Sequence, residues 1–280
     1  MGLTTPTAST EERVANLVVA SKLPTFPSVA LRLMQLISQD AVSYEQLGSL
    51  LRTDAALSAM LLRAANSPLF GTLGEIRSIP IALLTLGMDR VGMLILNTAM
   101  WRLVPGSRGR QSMRPWWRHN LATALLSKQL SFKNMVDEYS YMCGLMHSIG
   151  QLVLYEAFPL QYGNVLAQAA ERGCSLRELE RENFGVEHCE LGAGLLKKWA
   201  IPSEMVDAAA HHHDPDHAKS PTTRLVGISC TIANQLGYAV TPGPAKPLED
   251  LPPVAQELLA DEKRRQEIAE KVEAMERTLN

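Results

Sequence analysis

Apolar residues recur along most of the chain at helical spacing, and short polar or proline-containing breaks separate the resulting segments. Within 54–66 the apolar positions repeat at intervals of three and four, at Leu57, Met60, Leu61, Ala64 and Ala65. That spacing places the side chains on one face of an α-helix. The run 89–104 is apolar on nearly every face, which predicts a helix at the centre of a bundle.

Helix-start signals support this all-α pattern. The stretches STEE at 9–12 and SYEQ at 43–46 are capping boxes, in which a serine and the residue three positions later satisfy free N–H groups at a helix N-terminus. Beyond residue 115 the apolar spacing predicts further helices at 116–131, 135–157, 161–173, 176–184, 187–199, 203–213 and 222–238. No internal repeat is evident.

The stretch PGSRGRQSMRP at 105–115 is basic and bracketed by prolines, as is typical of a linker or mobile loop. We therefore place a lobe boundary there. The predicted order is an N-terminal helix 1–21, an N-terminal helical lobe 22–104, the linker or loop 105–115, a second helical lobe 116–240, and a Pro-rich breaker with a charged C-terminal helix 241–280. The apolar stripe of the last helix predicts packing on the body of the protein, and a coiled-coil partner surface is the alternative.

Composition narrows the functional classes. The 280 residues are 46% hydrophobic but only 5% aromatic, with a formal net charge of -2 and a pI near 6.4, so nothing indicates attraction to nucleic acid or to an anionic membrane. The N-terminus lacks the charge and apolar run of a secretory signal, and no window approaches the ~20 apolar residues of a membrane span. The four cysteines form no C-x-x-C pair and indicate reduced thiols, so we expect a cytoplasmic protein.

All seven histidines fall in the second predicted lobe: His119, His147, His188, His211, His212, His213 and His217. Histidines delivered by different helices to one point can bind a divalent cation through neutral imidazole nitrogens. Hard or binuclear sites also need carboxylates that balance charge and bridge the ions.

Several long blocks, in order, resemble the HDOD domain, the HD-related output domain of bacterial signalling proteins. In the second lobe these are WWRHN at 116–120, MHSIGQLVL at 146–154, FGVEHCELGAGLLKKWAIP at 184–202, AHHHDP at 210–215 and TIANQLG at 231–237. In the first lobe LPTFPSVALRLMQLI, LLRTDAALSAMLLRAANSPLFG and IRSIPIALLTLG are similar to the N-terminal blocks of that family. The resemblance runs from about Lys22 to Gly237 and implies a two-lobe helical bundle of the HD-superfamily type.

The resemblance also implies a metal-site position for several residues. Catalytic HD phosphohydrolases hold metal with an early His, a His-Asp pair, later histidines and a late Asp. The matching positions here are His119, His147, Ser148, His188, His212, His213 and Asn234. Ser148 and Asn234 therefore stand where the carboxylates belong, and Gln151 stands where many active relatives have a Lys.

Without those carboxylates a metal-bridging water would lack both its anionic ligands and its orienting base. Two-metal hydrolysis is not expected, and no cofactor is predicted. A single Zn, Fe or Ni ion held by three or four imidazoles remains an alternative, with ligands drawn from His119, His147, His188, His212 and His213. The favoured interpretation is a degenerate site whose histidines are hydrogen-bonded.

A set of arginines near 105–118 is a candidate contact for a small anionic ligand or an acidic partner: Arg108, Arg110, Arg114 and Arg118. The favoured interpretation is that these arginines lie on a solvated, mobile loop.

The sequence thus predicts a non-catalytic HDOD-type signal-transduction and regulatory module, acting through signalling proteins or a small ligand. The first alternative is a metal-dependent phosphohydrolase or phosphodiesterase acting on nucleotides. The second is a nucleotide or second-messenger sensor without turnover. The partner, the pathway, homodimerisation and whether the chain is an excerpt of a longer protein stay open.

Overall fold

The computed structural model describes residues 9–38, 43–66, 75–134, 139–214, 216–241 and 247–279. Every regular element within these ranges is helical, and they contain no β-strand. The predicted all-α fold class is therefore confirmed. The α-helices, numbered α1 to α17 in chain order, are Thr10–Ala20, Ser28–Ser38, Tyr44–Arg52, Ala55–Ala65, Ile79–Leu86, Met88–Arg102, Gly106–Ser112, Arg114–Asn134, Ser140–Met146, Ile149–Ala157, Pro159–Arg172, Leu176–Phe184, His188–Lys198, Ser203–His211, Pro221–Ala233, Pro253–Ala260 and Glu262–Leu279.

The helices fall into two compact units. The large unit contains the chain up to Pro24 and Gly106–Ala269, and the small unit contains Thr25–Pro105 and the chain from Glu270 onward. Helix α1 thus belongs to the large unit, and α17 has residues in both.

In the small unit, α6 packs against α2, α4 and α5, and α3 packs against the same three helices. Nearly every residue of α6 between Val91 and Trp101 is buried, as the apolar run predicts for a central helix. The Asp54 side chain caps α4 by accepting from the backbone N–H groups of Ala56 and Leu57, each at 3.0 Å. It also pairs with Arg102 of α6 at 2.6 Å, so one carboxylate holds the start of α4 and the end of α6 together.

In the large unit, α8 packs on α9 and α15, and α13 packs on α10 and α14. Two glycines permit this close packing. A Cβ on Gly144 of α9 would lie 2.8 Å from the Ala124 Cα of α8, and a Cβ on Gly150 of α10 would overlap the backbone carbonyl of His188 at the start of α13. These two contacts bring α8, which carries His119, and α13, which carries His188, against the two helices that flank His147.

Two segments differ from the sequence-based expectation. The segment 105–115, expected as a linker or loop, contains helix α7, which buries Gly109. Pro105 and Pro115, which favour a loop in the sequence, lie outside α7 and so do not interrupt it. The segment 135–157, expected as one helix, is interrupted in its described part, because α9 ends before His147 and α10 begins after Ser148. Trp116 Nε1 donates to the Ser148 carbonyl at 3.0 Å, which holds the chain in this break.

The C-terminal charged segment is helical, as predicted. Ile268 and Val272 on the apolar stripe of α17 are buried, which favours packing of the stripe within the chain over a coiled-coil partner surface. Helix α15 ends at Ala233 and continues as a π-helical turn, Asn234–Tyr238, that closes at Gly237 with φ of 85°.

No single helix in the described ranges is both long and apolar enough to cross a membrane. One pair, Ile79–Leu86 and Met88–Arg102, meets the length and composition requirement only when taken together, and it is bent by 107°.

Replacing Gly150 with alanine should destabilise the protein. The added methyl group overlaps the His188 carbonyl oxygen, and overpacking of this kind costs about 1–3 kcal/mol, which lowers Tm by roughly 2–4 °C per kcal/mol for a chain of this size. The matched control is Gly163→Ala on the exposed face of α11, where nothing lies within 4 Å of the new Cβ, and helix propensity predicts a gain of about 1 kcal/mol. Thermal unfolding checks both variants, and an increase in Tm for Gly150→Ala would contradict the packing described.

Replacing Asp54 with asparagine should reduce stability and its dependence on acid pH. The hydrogen bond from Arg102, helped by the α4 N–H groups, lowers the pKa of Asp54 despite partial burial. A carboxyl group with a lowered folded-state pKa stabilises the protein above its unfolded pKa of about 3.9, and the stabilisation is lost as the pH falls through the folded value. Because the ion pair is partly exposed, the expected loss at pH 7 is about 1 kcal/mol.

Urea unfolding at pH 7 and at pH 3 measures this difference. The exposed Asp216→Asn variant is the control for a change of one surface charge. A stability difference between wild type and Asp54→Asn that does not shrink on acidification would show that the ion pair contributes nothing.

Candidate functional site

The large unit contains a cavity of about 390 Å³ around which most of the histidines gather. The lining residues are His119, His147, Ser148, Gln151, Ser175, Leu176, Arg177, His188, His212, His213, Cys230, Asn234, Val240 and Thr241. Every residue that the resemblance assigned to a metal-site position is in this set. Among these described lining residues there is no aspartate or glutamate.

Each histidine reaches the cavity from a different point of the helical scaffold. His119 lies on α8, His147 lies at the break between α9 and α10, and His188 is the first residue of α13. His212 and His213 directly follow α14. The first four are buried, whereas His213 is exposed at the cavity.

The imidazole rings form a continuous cluster. The Nε2 atoms of His119 and His147 are 3.1 Å apart. The ring of His212 contacts that of His147 edge-on, with centroids 4.6 Å apart, and its centroid lies 5.6 Å from that of His188. His213 adjoins His212 at 4.1 Å between centroids. His211 and His217 are not among the lining residues.

Backbone carbonyls fix the orientation of two of these rings. His147 Nδ1 lies 2.7 Å from the Gly144 carbonyl oxygen, and His212 Nδ1 lies 3.0 Å from that of Ala208. A carbonyl oxygen only accepts hydrogen bonds, so each Nδ1 must carry the proton and donate it. In a neutral ring Nε2 is then an unprotonated acceptor directed away from the anchoring carbonyl.

His119 is held in the same way, since its Nδ1 lies 3.2 Å from the Tyr238 carbonyl oxygen in the π-helical turn. Burial lowers the pKa of His119 to about 4. Burial, with neighbouring imidazoles, lowers the pKa values of His147 and His212 well below the usual range. All three rings are therefore neutral near pH 7.

A buried carboxylate anchors the fourth ring. Glu180 of α12 is fully buried, and its Oε2 accepts from His188 Nδ1 at 2.7 Å and from the His188 backbone N–H at 2.9 Å. Its Oε1 accepts from the Tyr162 hydroxyl at 2.8 Å. Burial acts to lower the pKa of His188, but the attraction of Glu180 prevails and raises it well above the usual range. The sequence-based reasoning missed Glu180, because only the folded contact between α12 and α13 reveals its role.

Ser148 and Asn234, which the resemblance matches to carboxylate positions, differ in their partners and in their exposure. The Ser148 hydroxyl donates to Asn120 Oδ1 at 2.9 Å, and Asn120 Nδ2 donates to the Trp116 carbonyl at 3.0 Å. Asn234 lines the cavity but is exposed. Ser148 is therefore part of a hydrogen-bonded network with α8.

Three buried polar atoms at the cavity have no hydrogen-bond partner among the described residues: His188 Nε2, His212 Nε2 and Gln151 Oε1. Buried polar groups are normally satisfied, so these atoms indicate a place for a bound group. The neutral imidazoles of His119, His147 and His212 fit a single borderline metal such as Zn²⁺. They do not fit a pair of hard ions, which need carboxylate oxygens.

The arginine at the cavity is not one of those expected. Arg108, Arg110 and Arg114 are exposed, and the Arg118 guanidinium lies 5.5 Å from the centroid of the Tyr238 ring; none of the four lines the cavity. Arg177 of α12 lines it instead, and its guanidinium pairs with Glu187 through two contacts of 2.7 and 2.8 Å. An anionic ligand in the cavity would therefore meet Arg177 rather than the arginines near 105–118.

Two cysteines also belong to the cluster. Cys230 Sγ lies 3.6 Å from His119 Nε2, and Cys189 has its sulfur within 4.8 Å of ligand atoms of His188, His212 and His213. The sequence-based reasoning treated both as ordinary reduced thiols. A signal was present for Cys230, because it precedes Asn234 by four residues and so shares its face of the predicted helix.

Comparison with known proteins agrees with this architecture. The HDOD domain family matches residues 23–215. A Treponema pallidum protein of uncharacterised function is 25% identical over 206 residues, which are 73% of this chain, and the chain spans 40% of the length of that relative.

Two solved structures share the fold. One, from Marinobacter aquaeolei and provisionally named a signal transduction protein, has a TM-score of 0.77 at 19% identity over 95% of this chain and 66% of that chain. The other, from Shewanella amazonensis and provisionally named a phosphohydrolase, has a TM-score of 0.70 at 21% identity over 96% of this chain and 98% of that chain. At these identities the likeness shows the fold alone. The family match covers well over half of the sequence, and we conclude that the chain belongs to the HDOD domain family.

Proposed function

We propose that this protein is a non-catalytic regulatory module of signal transduction that acts by binding a signalling protein or a small ligand. One observation carries the proposal: among the described residues that line the histidine cavity there is no carboxylate. Two-metal phosphoester hydrolysis needs anionic oxygens that bridge the ions and orient the attacking hydroxide.

The carboxylates nearest in the fold are engaged elsewhere. Glu180 is held by the N–H groups of His188 and by the Tyr162 hydroxyl. Glu187 is paired with Arg177 at 2.7 Å. Moving Glu180 to the cavity would leave buried donors without a partner, which costs about 1–3 kcal/mol for each of them. Moving Glu187 would leave the half-buried Arg177 guanidinium without its partner.

Asp207 is likewise engaged, because it accepts from the Thr223 hydroxyl at 2.6 Å and from the Lys219 backbone N–H at 3.1 Å. Ser148 cannot substitute as a base, since its hydroxyl donates to Asn120. The described lining therefore offers a shaped, polar cavity without the carboxylates that two-metal hydrolysis requires.

Family membership supports a signalling role, and the structural relative from Marinobacter aquaeolei is named for signal transduction. The relative from Shewanella amazonensis is named as a phosphohydrolase, so phosphohydrolase activity is the second candidate. The missing carboxylates favour the non-catalytic signalling role over phosphohydrolase activity. A ligand in the cavity would contact residues of α8, α12, α13 and α15 together, and it would select the helix arrangement that it binds best.

The metal-reconstituted wild-type protein should not hydrolyse phosphodiesters faster than its His147→Ala variant. The assay uses bis(p-nitrophenyl) phosphate and cyclic dinucleotides with Mn²⁺, Fe²⁺ or Zn²⁺. The wild type lacks anionic ligands for a second ion, so both proteins should give background rates. Turnover by the wild type that disappears in His147→Ala would establish the phosphohydrolase and overturn the proposal.

The Ser148→Asp/Asn234→Asp double variant tests whether the missing carboxylates limit metal binding. It restores carboxylates at both positions, and we expect it to bind Mn²⁺ more tightly than the parent, because hard ions prefer oxygen ligands. Isothermal titration with Mn²⁺ measures the difference. Equal Mn²⁺ affinity in the two proteins would show that the missing carboxylates are not what limits the site.

A further inference from the structure

Three potential metal ligands meet in the lining of the cavity. His119 of α8, His147 at the break between α9 and α10, and Cys230 of α15 are all buried and all line the cavity. The His119 and His147 Nε2 atoms are 3.1 Å apart, and Cys230 Sγ lies 3.6 Å from His119 Nε2. All three ligand atoms lie within 4.8 Å of one another.

The hydrogen bonds at Nδ1 of His119 and His147 determine whether a proton or a lone pair lies on the facing Nε2 atoms. Both Nδ1 atoms lie at backbone carbonyl oxygens, of Tyr238 and of Gly144, and must donate to them. Two neutral rings anchored in this way face each other through Nε2 lone pairs at 3.1 Å, which is repulsive. A cation between the two nitrogens removes the repulsion, and the adjacent thiol supplies a third donor for a metal ion.

From this geometry we infer that His119, His147 and Cys230 form a mononuclear binding site for a thiophilic divalent cation of the Zn²⁺ class. With Zn–N of about 2.0–2.1 Å and Zn–S of about 2.3 Å, a tetrahedral ion needs N···N and N···S separations of about 3.4 and 3.6 Å. The observed 3.1 and 3.6 Å are close to these values. A thiolate ligand favours Zn²⁺ over Mg²⁺, Ca²⁺ or Mn²⁺.

Binding converts the Cys230 thiol to a thiolate. The S–H bond breaks, a sulfur–metal bond forms, and the proton leaves to solvent, with no change in oxidation state. The carbonyls of Tyr238 and Gly144 act as the outer hydrogen-bond partners that orient the two imidazoles. These residues form a site different in kind from the carboxylate-dependent two-metal site, because its anionic ligand is sulfur.

His119, His147 and Cys230 fill three positions of a tetrahedral ion, and all three line the cavity. Water, an oxygen of a small molecule or the unpartnered Nε2 of His212 would fill the fourth position. Arg177 lies in the same lining and matches an anionic group. This inference does not rest on the proposed function, because metal binding is measured without any hydrolysis.

The test uses full-length protein without a histidine tag, stripped with a chelator and titrated with Zn²⁺ or Co²⁺ alone. Elemental analysis should find one Zn²⁺ per chain after dialysis, and the Co²⁺ form should show a thiolate-to-cobalt charge-transfer band in the near ultraviolet together with tetrahedral d–d absorption. The wild-type spectrum decides by itself whether a cysteine ligates the metal. Absence of both bound Zn²⁺ and the thiolate band would overturn the inference.

Cysteine variants identify the ligand. Cys230→Ser should abolish the charge-transfer band and weaken Zn²⁺ binding on the order of 100-fold or more, since even the loss of an outer partner costs 10–100-fold. Cys174→Ser, a half-buried cysteine outside both clusters, should behave as wild type. Cys189→Ser tests the second group of ligand atoms, formed with His188, His212 and His213.

A band that is lost in Cys189→Ser but retained in Cys230→Ser would overturn the assignment. Circular dichroism of the metal-free proteins controls for folding. If Cys230→Ser fails to fold, the wild-type cobalt spectrum and the retained band of Cys189→Ser still decide the assignment.

Discussion

The site depends on the hydrogen bonds that the Nδ1 atoms of its buried imidazoles donate to backbone carbonyls. Carbonyl oxygens of Tyr238, Gly144 and Ala208 hold the Nδ1 atoms of His119, His147 and His212. These contacts fix one tautomer for each ring and leave the Nε2 lone pair available on the other side. His119, His147 and His212 therefore line the cavity with neutral nitrogen donors, which supports the proposal that the cavity binds a cation or a ligand.

Helix packing makes this arrangement possible. Gly144 and Gly150 allow α9 to approach α8 and α10 to approach α13 at distances that a side chain would prevent. The helix is broken between α9 and α10 at His147 and Ser148, and the Trp116 indole donates to the Ser148 carbonyl there. Glu180 completes the support from α12, because a buried carboxylate at His188 Nδ1 fixes that ring at the start of α13. Glu180, a carboxylate hydrogen-bonded to a histidine of the cavity, is thus used to position that ring.

The sequence predicts the helices well, because apolar spacing reports directly on the buried face of each helix. The central position of α6 follows from its apolar run in the same way. The sequence does not predict helix α7, because glycine and proline are typical of loops. The break at His147 is missed because the apolar pattern continues through it, and only the tertiary hydrogen bond from Trp116 shows why the helix stops. Spacing alone cannot bring His119, His147, His188 and His212 together, and it was the resemblance to a family that assigned them to one site. Glu180, Arg177 and Cys230 lie outside the matched positions. Glu180 and Arg177 are recognised only from contacts between helices, whereas the position of Cys230 four residues before Asn234 is a signal in the sequence.

The tautomeric states of the histidines test this account most directly. Two-bond ¹H–¹⁵N correlation spectra of the metal-free protein at neutral pH distinguish a proton on Nδ1 from one on Nε2. The account requires His147 and His212 to carry the proton on Nδ1, with Nε2 showing the ¹⁵N shift of an unprotonated nitrogen. A proton on Nε2 of either ring would contradict it, since the lone pairs that define the site would then be absent.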